Sequence, residues 1–189
     1  MLQFRKQTKI APPAAGTIHR NVRTIPEKTA ILRTGPDDTE SPEIRAIYDI
    51  WNQMRGERPM PTREELLPRA LGRLLRNVSL ARVLPETNDY ELRIIGDAHA
   101  EAYGWNGKGL RVSQLISGAP EMGTMLKDSY DLVRTFRLPL GFRGILGRDI
   151  TQAKFDWFET LYLPLGSGGV VDHVLNASNY RPKDGKWPH

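Results

Sequence analysis

The chain has 189 residues, no cysteine, and 27 Lys plus Arg against 22 Asp plus Glu, a formal charge of +5. The lack of thiols excludes a disulfide framework, a cysteine-ligated zinc or iron–sulfur site and a cysteine nucleophile. With 39% hydrophobic residues and four tryptophans, the composition is that of one folded domain with appendages. No segment approaches the roughly 20 apolar residues that cross a bilayer, and the start of the chain lacks an export-type apolar run, so the expected location is the cytoplasm.

Residues 1–40 carry Arg5, Lys6, Lys9, Arg20, Arg23, Lys28 and Arg33 against Glu27, Asp37, Asp38 and Glu40, which places +3 of the +5 there. Neither helical nor strand periodicity is evident, and the segment reads as a flexible basic arm. Without aromatics interleaved among those bases, a nucleic-acid role is disfavoured.

Ser41-Pro42 supplies an N-cap followed by a proline suited to the first helical position, and Ile44, Ile47, Tyr48, Trp51 and Met54 then fall on one helical stripe. This predicts an amphipathic helix over 41–55 whose stripe covers a sheet face or a second copy of the chain. Gly56, Pro59 and Pro61 end it. Thr62 and Glu65 read as a capping box, and Pro68 opens a further helix with Leu71, Leu74 and Leu75 on its apolar side. From Asn77 the period becomes two, with strands around Val78–Leu84 and Tyr90–Ile95 joined by Pro85–Asp89 as a hairpin. Short helices follow at Asp97–Tyr103 and Val112–Ile116, then a longer one over Glu121–Arg137 with Met122, Met125, Leu126, Tyr130, Val133 and Phe136 at helical spacing. Three strands close the chain: Leu140–Leu146, Lys154–Leu163 and Val170–Asn179. Hairpins at both ends of a helical stretch imply an α+β domain with an antiparallel sheet covered by helices.

The run Trp51, Arg55-Gly56-Glu57-Arg58-Pro59-Met60-Pro61-Thr62-Arg63, together with Leu92-Arg93-Ile94-Ile95-Gly96, Tyr103-Gly104, Gly107-Lys108-Gly109 and Glu159-Thr160-Leu161-Tyr162-Leu163-Pro164-Leu165, resembles a family of stand-alone bacterial PAS-like domains. The resemblance covers roughly Pro42 to Asn179. It implies a five-stranded antiparallel sheet with helices on one face, here with an extra N-terminal helix, and a scaffold that senses small molecules and pairs with itself or with signalling partners. The domain then spans 41–180, with 181–189 as a tail. Arg82 and Asp97 depart from the family pattern, which has an acid and a threonine there, so binding preference does not carry over.

Within such a scaffold, zero cysteine removes a cysteinyl flavin adduct. Haem is disfavoured because none of His19, His99, His173 and His189 lies on the long helix, and Met122 and Met125 fit an apolar stripe better than an iron. The identity of any cofactor stays open. Candidate ligand contacts are Arg93, Tyr103, Trp105, Tyr130, Trp157, Glu159 and His173. Phe155, Trp157, Glu159, Leu161 and Leu163 share one strand face, with Phe158 and Tyr162 on the other. Trp157 beside Glu159 is the best aromatic-plus-polar pair for a pocket. Its structural alternative is a core tryptophan with Glu159 paired to Arg93. His173, with Val171, Leu175 and Ala177, faces either a cavity or packed core. Tyr103 and Trp105 would frame a cavity mouth. The glycine groups at 104–109 and 166–169 lack a phosphate-loop setting and read as turns. No metal motif or nucleophile elbow occurs, so catalysis is not expected.

The leading reading is a non-catalytic sensory and interaction domain that binds a small molecule between sheet and helices and signals through a partner. Its alternatives are an adaptor for nucleic acid or anionic surfaces acting through the basic arm, and a structural dimerisation module using Ile44, Ile47, Tyr48, Trp51 and Met54.

Overall fold

The computed structural model describes residues 30–66, 68–104, 106–145 and 155–182. The basic arm up to residue 29, Trp105, and the tail from residue 183 lie outside the described residues. Six strands, β1 (Ala30–Thr34), β2 (Val78–Leu84), β3 (Asp89–Ile95), β4 (Leu140–Ile145), β5 (Phe155–Ser167) and β6 (Val170–Pro182), form one antiparallel sheet in the order β1-β4-β5-β6-β2-β3. Helices α1 (Pro42–Arg55), α2 (Arg63–Leu66), α3 (Asp97–Tyr103), α4 (Val112–Gly118) and α5 (Pro120–Phe136) pack around it. Among the described residues, no helix is long and apolar enough to cross a membrane.

The architecture is the expected α+β class, with a sheet one strand wider than expected. Ala30–Thr34, read in the sequence as part of the arm, instead pairs along β4 from Ala30 opposite Ile145 to Thr34 opposite Gly141. Its signal is weak because both Ile31 and Leu32 are exposed, so no alternation marks a buried face. The helix expected from Pro68 is also revised. Gly72 takes φ +47°, and the chain continues as a 3-10 helix over Gly72–Asn77.

Helix α1 begins as its sequence dictates. The Ser41 hydroxyl accepts the Ile44 amide at 3.4 Å, and Pro42 occupies the first helical position. Ile44, Ile47 and Trp51 are buried in the same core cluster as Leu161, Leu163, Leu165 and Leu175, and the Trp51 indole donates to the Pro164 carbonyl at 2.9 Å. Tyr48 and Met54 pack partly buried at the edge of that cluster. This corrects the reading of Ile44, Ile47 and Trp51 as a subunit interface: the chain's own sheet already covers them.

The run after α1 fastens it down. Arg58 donates to the Met54 carbonyl at 2.6 Å and to Glu65 at 2.8 Å, and Arg55 returns a bond to the Arg58 carbonyl at 3.0 Å. Thr62 and Glu65 exchange the two bonds of the capping box, and Gly166 donates to the Pro61 carbonyl at 3.0 Å. The most distinctive motif in the sequence is thus a clasp between α1, α2 and the β5–β6 hairpin.

Helices α3, α4 and α5 cover the other sheet face. Gly96, at the start of α3, lies so close to the preceding 3-10 segment that a Cβ would sit 2.4 Å from the Arg76 carbonyl oxygen. Helices α4 and α5 meet at Gly123, where a Cβ would fall 2.5 Å from the Ile116 amide nitrogen. Asp89 ties α4 to the hairpin, accepting the Ser113 amide at 3.2 Å and its hydroxyl at 2.6 Å. Burial raises the Asp89 carboxyl, but the bonds from Ser113 and Tyr90 outweigh it and hold the group below its usual range.

Candidate functional site

Along β5 and β6 successive side chains point to opposite faces, so the strands separate their residues into an α1 side and an α3–α5 side. The α1 side carries Glu159, Leu161 and Leu163 of β5 and Leu175, Ala177 and Asn179 of β6. The other side carries Phe158, Thr160 and Tyr162 with Asn176, Ser178 and Tyr180, and there a cavity of about 80 Å³ opens under the helices. Two aromatic groups wall it. Tyr130 of α5 lies edge-on to Tyr162 at 5.6 Å and tilted on Tyr90 at 5.0 Å, while Tyr103 of α3 packs with Tyr180 at 5.8 Å and Phe155 at 5.3 Å. Leu92, Leu115, Met122, Met125 and Leu126 supply apolar surface. No described lining residue is an Asp, Glu, Lys or Arg.

Besides the tyrosine hydroxyls and Ser79, the polar part of the wall holds a strand cluster and one histidine. Thr160 and Ser178 both donate to the Asn176 side-chain oxygen, Ser178 at 2.8 Å, and the two hydroxyls lie 2.7 Å apart. His99 on α3 is 6% exposed, and both its ring nitrogens are buried without a hydrogen-bond partner among the described residues. Its ring stands edge-on to Tyr180 at 5.5 Å. Burial pulls the imidazole down to about 4, so it is neutral at physiological pH. Burial likewise pushes the Tyr103 hydroxyl up to about 12. Both groups therefore enter hydrogen bonds uncharged.

Of the residues singled out from sequence, Tyr103 and Tyr130 line this cavity. Trp105 lies outside the described residues. The structure places Arg93, Trp157, Glu159 and His173 elsewhere. Arg93 is exposed and bonds Glu91 at 2.8 Å. Trp157 carries the Arg181 guanidinium over its ring at 5.7 Å. His173 meets its neighbour Asp172 at 2.8 Å. Glu159, 1% exposed, accepts the Glu40 amide at 2.9 Å and the Ser41 amide at 2.7 Å, so it anchors the start of α1 and makes no pair with Arg93.

The period of two separates the two faces of β5 but does not say which one meets the cavity, because both are apolar and both are covered. A bulge adds to this. The pairing of Phe155 with Pro182 and of Trp157 with Arg181 leaves one extra residue on β5, which turns Phe155 onto the Phe158 side, against Ala102. Asn176, Ser178 and Tyr180 alternating with Leu175, Ala177 and Asn179 was the available signal for the true cavity face. His99 had no such signal, since its helix is only seven residues long.

An open antiparallel sheet with a helical layer enclosing a cavity defines the α+β class of this domain. A family model described as a PAS domain matches residues 39–173, and the chain belongs to that family. No curated protein and no solved structure matches it.

Proposed function

We propose that the domain is a sensory and interaction module without catalytic output of its own, which binds a small molecule in the cavity between the sheet and α3–α5 and passes the signal to a partner protein. The observation that carries this reading is His99, a cavity-wall histidine whose two buried nitrogens have no partner among the described residues. Such groups cost about 1–3 kcal/mol in a native fold and call for an occupant. Membership of the PAS family supports the sensory role. The lining supports it too, being mostly apolar with a few convergent polar groups. A cavity of about 80 Å³ is roughly half the ~150 Å³ that holds a benzene ring, so it favours a ligand of only a few heavy atoms. That is smaller than a flavin or a haem.

Native mass spectrometry of the protein purified under non-denaturing conditions tests this reading. A small-molecule mass excess that disappears on denaturation, and is absent from a Ser178→Phe variant whose cavity is filled, is the expected result. Retention of the same adduct by that variant would overturn the placement of the ligand.

A further inference from the structure

We propose that the outer edge of β1 pairs antiparallel with β1 of a second copy of this chain, centred on Leu32, so that the two sheets join across a two-fold axis. The pairing is independent of the cavity and of what fills it.

β1 ends the sheet order with β4 as its neighbour, and no described strand lies on its other side. An edge strand presents a row of backbone N–H and C=O groups that another extended segment satisfies in register, so the edge itself sets the chemistry of its occupant. Usual safeguards against such pairing are missing. The strand Ala30-Ile31-Leu32-Arg33-Thr34 has an ordinary length, no proline and no lysine, and its register with β4 runs without a bulge. The opposite edge differs. There Leu92 of β3 donates to the Leu110 carbonyl at 2.9 Å and accepts the Gly109 amide at 2.7 Å, which covers it.

Exposure points the same way. Ile31 and Leu32 are 39% and 41% exposed although they face opposite sides of the sheet, and Ile145, paired with Ala30, is 51% exposed. An added strand would shield apolar side chains on both faces at once.

The strand's own sequence selects a second copy as the occupant. Pairing about Leu32 sets Leu32 against its twin on one face and Ile31 against Arg33 on the other, so the two guanidinium groups never lie directly opposite each other. Beyond Thr34, the exposed Asp37 and Asp38 of one copy lie on the side from which the other copy's chain enters Ala30. That entering chain carries Arg20, Arg23 and Lys28 against Glu27, so opposite signs meet along the joined edge.

The absence of natural cysteine makes a crosslinking test specific. Directly opposite residues of an antiparallel pair lie about 4.5–5.5 Å apart at Cα, which a disulfide spans. Residues displaced by four positions along the strand lie at least about 13 Å apart, which it does not span. Under mild oxidation at micromolar protein, Leu32→Cys is therefore expected to form a covalent dimer, and Thr34→Cys, on the same face of the same strand, is not. Sedimentation equilibrium of the whole parent chain is expected to show a mass that rises with concentration to that of two chains. Leu32→Lys sets two ammonium groups against each other on the axis and is expected to weaken association at least about 10-fold with an unchanged circular dichroism spectrum. A single-chain mass at every concentration would overturn the proposal and assign the edge to another occupant. A two-chain mass that Leu32→Lys leaves unaltered would place the interface elsewhere, and Thr34→Cys crosslinking as readily as Leu32→Cys would overturn the register.

Discussion

The Glu159 carboxylate receives the backbone amide of Ser41 at 2.7 Å, from a residue 118 positions earlier in the chain. With the Glu40 amide on its other oxygen, this one buried side chain fixes the segment that leads into α1. Replacing it by leucine leaves one buried and one partly buried amide without acceptors, at a cost of about 1–3 kcal/mol. Glu159→Gln can still accept one bond and costs less. Urea unfolding monitored by tryptophan fluorescence measures both, and an unchanged midpoint for Glu159→Leu would contradict the anchoring role.

Trp51 makes the complementary contact from the helix side. Truncation to alanine removes a 2% exposed indole and its bond to the Pro164 carbonyl, and is expected to cost about 3–5 kcal/mol. Ile47→Glu places a charge in the same layer and is expected to unfold the domain rather than to separate subunits. Circular dichroism and light scattering read the two outcomes. A folded Ile47→Glu protein of halved mass would restore the stripe as a subunit interface.

The pH dependence follows from His99. Its folded-state value of about 4 lies below the ordinary 6.5, so the unfolded chain binds the proton more readily. The stability tied to the neutral ring is therefore fully present above pH 6.5 and is lost as pH falls towards 4, by up to about 3 kcal/mol. His99→Leu removes this contribution. Unfolding free energies at several pH values between 4 and 7 check it, the predicted result being a smaller loss of stability on acidification for the variant than for the parent.

Gly123→Ala tests the packing of the helical roof. Its Cβ would lie 2.5 Å from the Ile116 amide nitrogen and 2.7 Å from the Ile116 Cα, both backbone atoms that cannot swing aside. Helices α4 and α5 must then move apart, at about 1–3 kcal/mol. Thermal melting checks the cost, and an unaltered melting temperature would show that the two helices are not in this contact.

Much of the scaffold was legible from pattern. The β2–β3 hairpin, the seven-residue α3 ended by Gly104 and the stripe of α5 each follow from one local period or one capping residue. The site was less so. Alternation in β5 separates Glu159 and Leu161 from Thr160 and Tyr162, but it does not say which set faces α1, and the bulge at Phe155 changes the parity partway along the strand. The partners of Glu159 are backbone amides, to which no sequence pattern points. A histidine among alanines has no detectable period, and the importance of His99 lies in what it fails to bond among the described residues.

The central claim is that the cavity under α3–α5 takes a small uncharged ligand. The most direct measurement is a titration of the isotopically labelled protein with small neutral fragments of a few heavy atoms, followed by amide and imidazole chemical shifts. Saturable shifts centred on His99, Thr160, Asn176 and Ser178, with Glu159 and Trp51 on the opposite face unmoved, are the predicted result. Shifts confined to the outer surface, or none from any fragment, would contradict it.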